Sequence, residues 1–217
     1  MFAGLQAVWR ALRHLNHRGY VYIWANLLWV VLSLPLVTAP AAWAGMVRMS
    51  YLAHTRPTAD LRDLWDGFRQ NLRRGLVIFV LNVVLVGVNI SNLTTYAGQT
   101  GLLYDIGRSV WIGVLVVWAA IQFYLWPLLY EMKQPSLKGA LRNAAVMVYL
   151  NPVFTLAVLA CAALIALLST VFFASWLLIS GGALAAIANS AVFDRLAAAG
   201  LRPPVLPPEA EIESFEG

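Results

Sequence analysis

The chain has 217 residues, of which 61% are hydrophobic and 12% charged, and its net charge is +5. Average soluble domains are about 45–50% apolar and about 25% charged, so the composition excludes an ordinary soluble domain. It predicts an all-α, polytopic membrane helix bundle. The Lys and Arg residues are spread over several short segments, which argues against nucleic acid as a partner and is typical of topology signals.

The first predicted element is an amphipathic helix over residues 2–16. Phe2, Leu5, Trp9 and Leu12 recur at three- and four-residue intervals, and polar or basic residues occupy the other faces. This period is that of an α-helix with one apolar stripe. Such a helix is expected to lie on the membrane surface.

The next apolar stretch contains Pro35 and Pro40, which are five residues apart. We predict two short spans, over about 20–35 and 39–54, joined by a turn at Pro35, Thr38 and Pro40, because proline ends one helix and starts the next one well. An arm of about 15 residues reaches only about 22 Å. The turn is therefore expected inside the membrane, shielded by neighbouring helices.

The basic residues decide between one crossing and two. Lys plus Arg is scarce in only one of five segments, with 3 in residues 1–19, 6 in 48–74, 1 in 92–108, 3 in 131–142 and 2 in 194–217. If the stretch crosses twice, every segment except the scarce one faces the cytoplasm, as the positive-inside rule requires. A single crossing would put the 48–74 segment outside.

A third interpretation is a cleaved secretion signal. Residues 20–34 suit its apolar core, and APA at 39–41 or AWA at 42–44 suits a cleavage site. Cleavage would also place the basic 48–74 segment on the outer side, so two crossings are preferred.

The middle of the chain predicts a second amphipathic helix, begun after Pro57, and then spans over 73–91 and 109–130 joined by a polar loop. A third amphipathic segment follows, bracketed by Pro135 and Pro152. These short amphipathic helices are expected on the cytoplasmic side.

The last apolar region is long enough for two spans, over about 152–172 and 175–194. Residues 1–198 are thus predicted to form a single membrane domain with about six spans. The segment 199–217 contains four prolines and four glutamates, which predicts a disordered tail.

The sequence offers little catalytic chemistry. No Asp, Glu, Lys, Arg or His falls in the middle of a predicted span, which argues against an ion-coupled transporter. No nucleophile motif, phosphate loop or metal-ligand cluster is present, and Cys161 is the only cysteine. We therefore expect no enzyme activity, no cofactor and no bound metal.

Neutral polar residues remain inside the predicted spans. Asn26, Asn82 and Asn189 are expected to hold helices together through hydrogen bonds. A second possibility is a groove for a neutral ligand on the fourth span, whose candidate residues follow helical spacing: Trp111, Trp118, Gln122 and Trp126. Tryptophan is also common as an interfacial anchor in membrane proteins.

Residues 26–38, NLLWVVLSLPLVT, are followed by Trp65, Phe68, Asn71 and a basic pair. This pattern resembles the signature of the YesL-like family of bacterial membrane proteins, and the resemblance extends over roughly residues 10 to 195. It implies a domain of unknown function, often encoded beside carbohydrate uptake systems of the ABC type. One departure is Ala39, where the family often has glycine.

These observations together predict a multi-pass protein of the bacterial cytoplasmic (inner) membrane with both termini in the cytoplasm. Its expected function is that of an accessory or regulatory subunit associated with carbohydrate ABC-type uptake. The expected partners are membrane lipids and ABC transporter permease subunits. The alternative is a passive or partner-energised conduit for a neutral solute.

Overall fold

The structure is a computed structural model that describes residues 2–17, 19–56 and 58–203. Every regular element in these ranges is helical: α1 (Phe2–His17), α2 (Gly19–Ser33), α3 (Ala39–Thr55), α4 (Leu61–Ala97), α5 (Leu102–Glu131), α6 (Leu137–Leu150), α7 (Pro152–Val171), α8 (Phe173–Ser175) and α9 (Gly181–Ala198). A 3-10 turn, Leu36–Thr38, precedes α3, and a π-helical turn, Trp176–Ser180, leads directly into α9. Most of the predicted tail, residues 204–217, lies outside the described residues.

Four helices of the described chain are long and apolar enough to cross a membrane: Leu61–Ala97, Leu102–Glu131, Pro152–Val171 and Trp176–Ala198. The helical membrane class predicted from the composition is confirmed at this level. Helix α2 is apolar but has only 15 residues, fewer than the roughly 20 that a 30 Å hydrocarbon layer requires. Of the six predicted spans, four therefore correspond to helices long enough to cross a membrane, and the first two correspond to the shorter helices α2 and α3.

The short pair α2 and α3 is joined at the proline turn. Pro35 is extended, with φ −76° and ψ 103°, and Pro40 lies in the first turn of α3, where its missing N–H costs nothing. The Thr38 hydroxyl donates to the carbonyl oxygens of Leu32 at 2.6 Å and of Pro35 at 2.7 Å. The side chain of Thr38 therefore satisfies backbone acceptors at the point where the helix is interrupted.

The amphipathic helix predicted after Pro57 and the span predicted over 73–91 are not separate: they form one continuous helix, α4, of 37 residues. The Asp60 side chain caps its start by accepting from the backbone N–H of Arg62 at 2.7 Å and of Asp63 at 3.3 Å. No proline interrupts the helix, and Gly75 is accommodated because it faces α3. The change from an amphipathic to an apolar pattern therefore marks a change of surroundings along one helix.

The polar loop predicted over 92–108 is also mostly helical, since only residues 98–101 separate α4 from α5. The side chains of Asn92, Thr94 and Thr95 bond carbonyl oxygens one turn earlier at 2.8 Å. Because these polar side chains are hydrogen-bonded to carbonyl oxygens of their own helix, the helix continues through the polar segment. Gly101 has φ 125°, a conformation that favours glycine, and it forms the turn.

Helix α3 lies at the centre of the bundle, between α2, α4, α5 and α9. Its contact with α4 is made by small residues: a Cβ at Gly67 would lie 2.9 Å from the Cα of Gly45, and a Cβ at Gly75 would lie 2.8 Å from the backbone nitrogen of Ala41. Small residues let helix backbones approach closely in membranes. This crossing fixes the position of α4 against the core.

The second half of α4 and the first half of α5 extend away from the bundle together. We call this segment, residues 76–117, the arm. Only 11% of the most apolar 18-residue stretch of α4 is buried inside the protein, whereas 72% of the most apolar stretch of Trp176–Ala198 is buried. Valine and isoleucine side chains such as Val83, Val84 and Ile112 are more than half exposed. Among the four long helices of the described chain, the apolar part of α4 is thus the least covered by the rest of the protein.

The basic segments lie at the opposite end of the molecule from the loop 98–101. Arg74 in α4 donates to the carbonyl oxygen of Pro135 at 3.0 Å, and Arg202 after α9 pairs with Glu131 of α5 at 3.0 Å. Arg10 of α1 pairs with Asp194 of α9. We call this the basic end.

The α3–α4 crossing generates a prediction about stability. Gly75→Leu is expected to lower the free energy of unfolding by about 1–3 kcal/mol, because an added side chain would collide with the backbone at Ala41. The matched control is Gly87→Leu in the same helix, where an added Cβ meets nothing within 4 Å. The measurement is thermal unfolding of both variants in detergent, and equal stability of the two would contradict the close crossing.

Candidate functional site

Two of the predicted groove residues, Trp118 and Gln122, contact α4 from α5. Within this contact, the Trp118 indole N–H donates to the Oδ1 of Asn82 at 2.8 Å, and the Gln122 side-chain amide donates to the same oxygen at 3.0 Å. One acceptor on α4 thus serves two donors that lie one turn apart on α5. In an apolar environment these hydrogen bonds hold the base of the arm together.

A cavity of about 560 Å³ lies beside this contact. It is bounded by α4 and α5, with Leu141 of α6 at one side, and its lining includes Trp111 and Trp118. The lining is apolar apart from Asn89, whose side chain is 1% exposed and donates to the carbonyl oxygen of Leu85 at 2.9 Å. The cavity therefore suits a hydrocarbon chain better than a sugar, whose hydroxyls would lose their hydrogen bonds on entry.

The four candidate groove residues are not brought together in one lining. Trp111 and Trp118 line the cavity, whereas the Gln122 amide is engaged with Asn82. Trp126 is fully buried in the core beside residues of α3 and α9. Helical spacing puts the four residues on neighbouring parts of the α5 surface, but the part that carries Trp126 is packed into the core.

The asparagines predicted to hold helices together each contact a neighbouring helix. Asn26 of α2 donates to the carbonyl oxygen of Trp176 and accepts from the backbone N–H of Gly182 at 3.1 Å. Asn189 of α9 donates to the carbonyl oxygen of Val47 at 3.1 Å. Both side chains are fully buried, so these bonds are made where water does not compete.

Sequence reasoning missed a polar network between α3, α4 and α5. The Tyr130 hydroxyl donates to the carbonyl oxygen of Ala44 at 2.8 Å and accepts from the Asn71 side-chain amide at 3.1 Å. The Asn71 Oδ1 in turn accepts from Arg74 at 2.9 Å. In the sequence Asn71 belongs only to the family-like pattern, and nothing there pairs it with a tyrosine 59 positions later.

Two further contacts at the basic end were also missed. The rings of His14 in α1 and His54 in α3 stack with their centroids 3.7 Å apart. Arg10 of α1 pairs with Asp194 of α9, 184 residues away. In the sequence these residues carry no shared motif, so only the folded chain shows that they meet.

Over residues 2–17, 19–56 and 58–203 there is no group of three or more His, Cys, Asp or Glu side chains that could hold a metal ion. Cys161 is a free thiol on α7, partly buried.

Comparison with known proteins finds no family model, no curated protein and no solved structure that matches the chain.

The α4–α5 contact predicts the effect of removing its acceptor. Asn82→Leu is expected to lower the free energy of unfolding by about 0.6 kcal/mol, and at most about 1.7, for each hydrogen bond lost. Asn92→Leu is the control, because Asn92 bonds only the carbonyl oxygen of Val88 in its own helix among the described residues.

A double-mutant cycle between Asn82→Leu and Gln122→Leu measures the coupling directly. Additive effects of the two substitutions on thermal stability would show that the hydrogen bond between Gln122 and Asn82 contributes nothing to the association of α4 with α5.

Proposed function

We propose that this protein is a non-catalytic accessory subunit of a membrane transport complex, which it stabilises or regulates by contact through the arm. The observation that carries the proposal is the arm itself, whose two helices leave the bundle with most of their apolar surface uncovered by the rest of the chain. A two-helix extension of this kind offers helix faces on which the membrane helices of another protein can pack.

The identity of the complex is proposed from the resemblance to YesL-like proteins. That resemblance makes a carbohydrate importer of the ABC type the first candidate, with its permease subunits as the partners. The neutral composition of the arm supports a packing role, since its charged residues, Asp105 and Arg108, pair with each other near the loop end. Buried charges on the arm would instead have suggested an ion pathway.

The proposed orientation has six crossings in the bacterial cytoplasmic membrane, with both termini and the basic end in the cytoplasm. The basic end unites all the Lys- and Arg-rich segments, which supports this orientation under the positive-inside rule. In this arrangement α2 and α3 form a short hairpin in which α3 is central. The turn between them is not shielded by neighbouring helices, although the sequence led us to expect this, since Leu34 and Leu36 are 74% and 76% exposed.

The alternative, a conduit for a neutral solute, has less support. Its best candidate is the cavity beside Trp118, and the lining of that cavity is almost wholly apolar. A hydroxyl-rich solute would find few hydrogen-bond partners there.

The orientation is tested by labelling single cysteines in a Cys161→Ala background. Cysteines at Thr58 and Gln134, both exposed at the basic end, are expected to react with an impermeant maleimide only after the cells are permeabilised. A cysteine at Gln99, in the loop between α4 and α5, is expected to react in intact cells. Labelling of Thr58→Cys in intact cells would exclude the proposed orientation.

The accessory function is tested by photo-crosslinking in the native membrane. A photoreactive amino acid at Val83 or Ile112 in the arm is expected to crosslink to ABC permease subunits, identified by mass spectrometry. The matched control positions are Leu164 and Leu167 of α7, which are equally apolar and more than half exposed. Because they lie outside the arm, they are expected to crosslink mainly to lipid.

Two outcomes of the crosslinking would count against the proposal. One is the absence of permease adducts at both arm positions, and the other is equal yields of such adducts from the arm and from α7.

A further inference from the structure

Two arginines share one carboxylate where α1 meets α9 at the basic end. Arg10 donates to one oxygen of Asp194, and Arg195 donates to the other oxygen through Nε at 3.1 Å and through Nη2. The three side chains are only 14–25% exposed. One carboxylate balances one of the two guanidinium charges, so the cluster keeps a net charge of +1 in a partly buried position.

The Arg195 guanidinium is held in a fixed position by its surroundings. Its central carbon lies 4.2 Å from the centre of the Phe154 ring, and Nη1 donates to the Oδ1 of Asn151 at 3.4 Å. A guanidinium carries five N–H donors, and these bonds engage three of them. Two donors on a positioned, positively charged group therefore remain for a ligand.

A cavity of about 250 Å³ opens beside Arg195. Asn143 and Asn151 join Arg195 on its polar side, and its apolar side is formed by residues of α5, α6 and α9 that include Leu128, Met147 and Leu196. The cavity is smaller than the roughly 300–1,000 Å³ that encloses a whole drug-sized ligand. It suits a charged head group and the first part of an apolar chain, with the rest of the chain in the bilayer.

We propose that this cavity binds the phosphate of an anionic phospholipid from the leaflet at the basic end, with Arg195 as the principal phosphate ligand. Arginine matches phosphate geometry with two parallel hydrogen bonds, and basic pockets between membrane helices recognise anionic head groups. The exposed side chains of Lys138 and Arg142 belong to α6, the helix that contributes Asn143 to the cavity, and they add positive charge to the basic end. The site binds one defined lipid molecule, in contrast to the diffuse attraction of a basic surface to anionic lipid.

The test is a titration of the purified full-length protein with phosphatidylglycerol or phosphatidylcholine, read by native mass spectrometry. The wild type is expected to retain one phosphatidylglycerol in preference to phosphatidylcholine. Arg195→Gln is expected to weaken this binding at least about tenfold. Lys138→Gln removes the same charge from the surface of α6 and is expected to weaken it no more than about fivefold.

A second variant keeps the test valid if Arg195→Gln is poorly folded. Ala199→Leu adds volume to an exposed position that lines the cavity and leaves all three charged residues in place. It is expected to abolish preferential retention of phosphatidylglycerol. Retention that is equal in wild type, Arg195→Gln and Ala199→Leu would overturn the proposal.

Two other occupants are distinguished by further arms of the titration. Inorganic phosphate alone is expected neither to bind at millimolar concentration nor to displace the lipid, and displacement would assign the site to a soluble phosphate compound. Replacing the four tail glutamates by glutamine in the full chain, at Glu209, Glu211, Glu213 and Glu216, is expected to leave lipid binding unchanged. A tenfold gain in lipid affinity would show that the acidic tail competes with the lipid for the cavity, and it would overturn the lipid as the sole occupant.

Discussion

The close approach of α3 and α4 is the constraint on which the rest of the structure depends. At Gly45, Gly67 and Gly75 the two helices meet with almost no side chain between them. Association of helices within a membrane relies on van der Waals packing, because lipid is as apolar as the helices themselves. A crossing made by glycine allows many such contacts, and it secures the first half of α4 to the central helix while its second half extends into the arm.

Buried polar bonds then set the positions of the remaining helices. Asn26 joins α2 to the segment that leads into α9, Asn189 joins α9 to α3, and the Tyr130–Asn71 pair joins α5 to both α3 and α4. Each bond gives a buried polar group a partner at a position where water is not available. Packing of small residues brings the helices close, and these bonds select one rotational setting for each helix.

The boundaries that could be predicted from the sequence are those set by prolines. The proline turn near Pro35 and the start of α7 at Pro152 agree with the expected boundaries to within a few residues, because proline acts through local backbone geometry. The unity of α4 was missed, since hydrophobic periodicity reports the surroundings of a helix and not its continuity. For the candidate groove, helical spacing identified Trp111 and Trp118 beside a cavity, but it could not show that Trp126 is buried in the core. The cluster of Arg10, Asp194 and Arg195 was beyond prediction, because it depends on the docking of the first helix against the last one.

The length of α4 has a mechanical consequence. Its 37 residues extend over about 55 Å at 1.5 Å per residue, well beyond the roughly 30 Å of the hydrocarbon layer. No proline interrupts its backbone hydrogen bonds, so the helix is a continuous rod that is held by α3 near one end and paired with α5 over the other. A small rotation at the gripped end is magnified into a larger sideways displacement at the loop 98–101, as at the tip of a lever. In the proposed orientation, a tilt of the basic half of α4 would move the loop 98–101 at the far surface of the membrane.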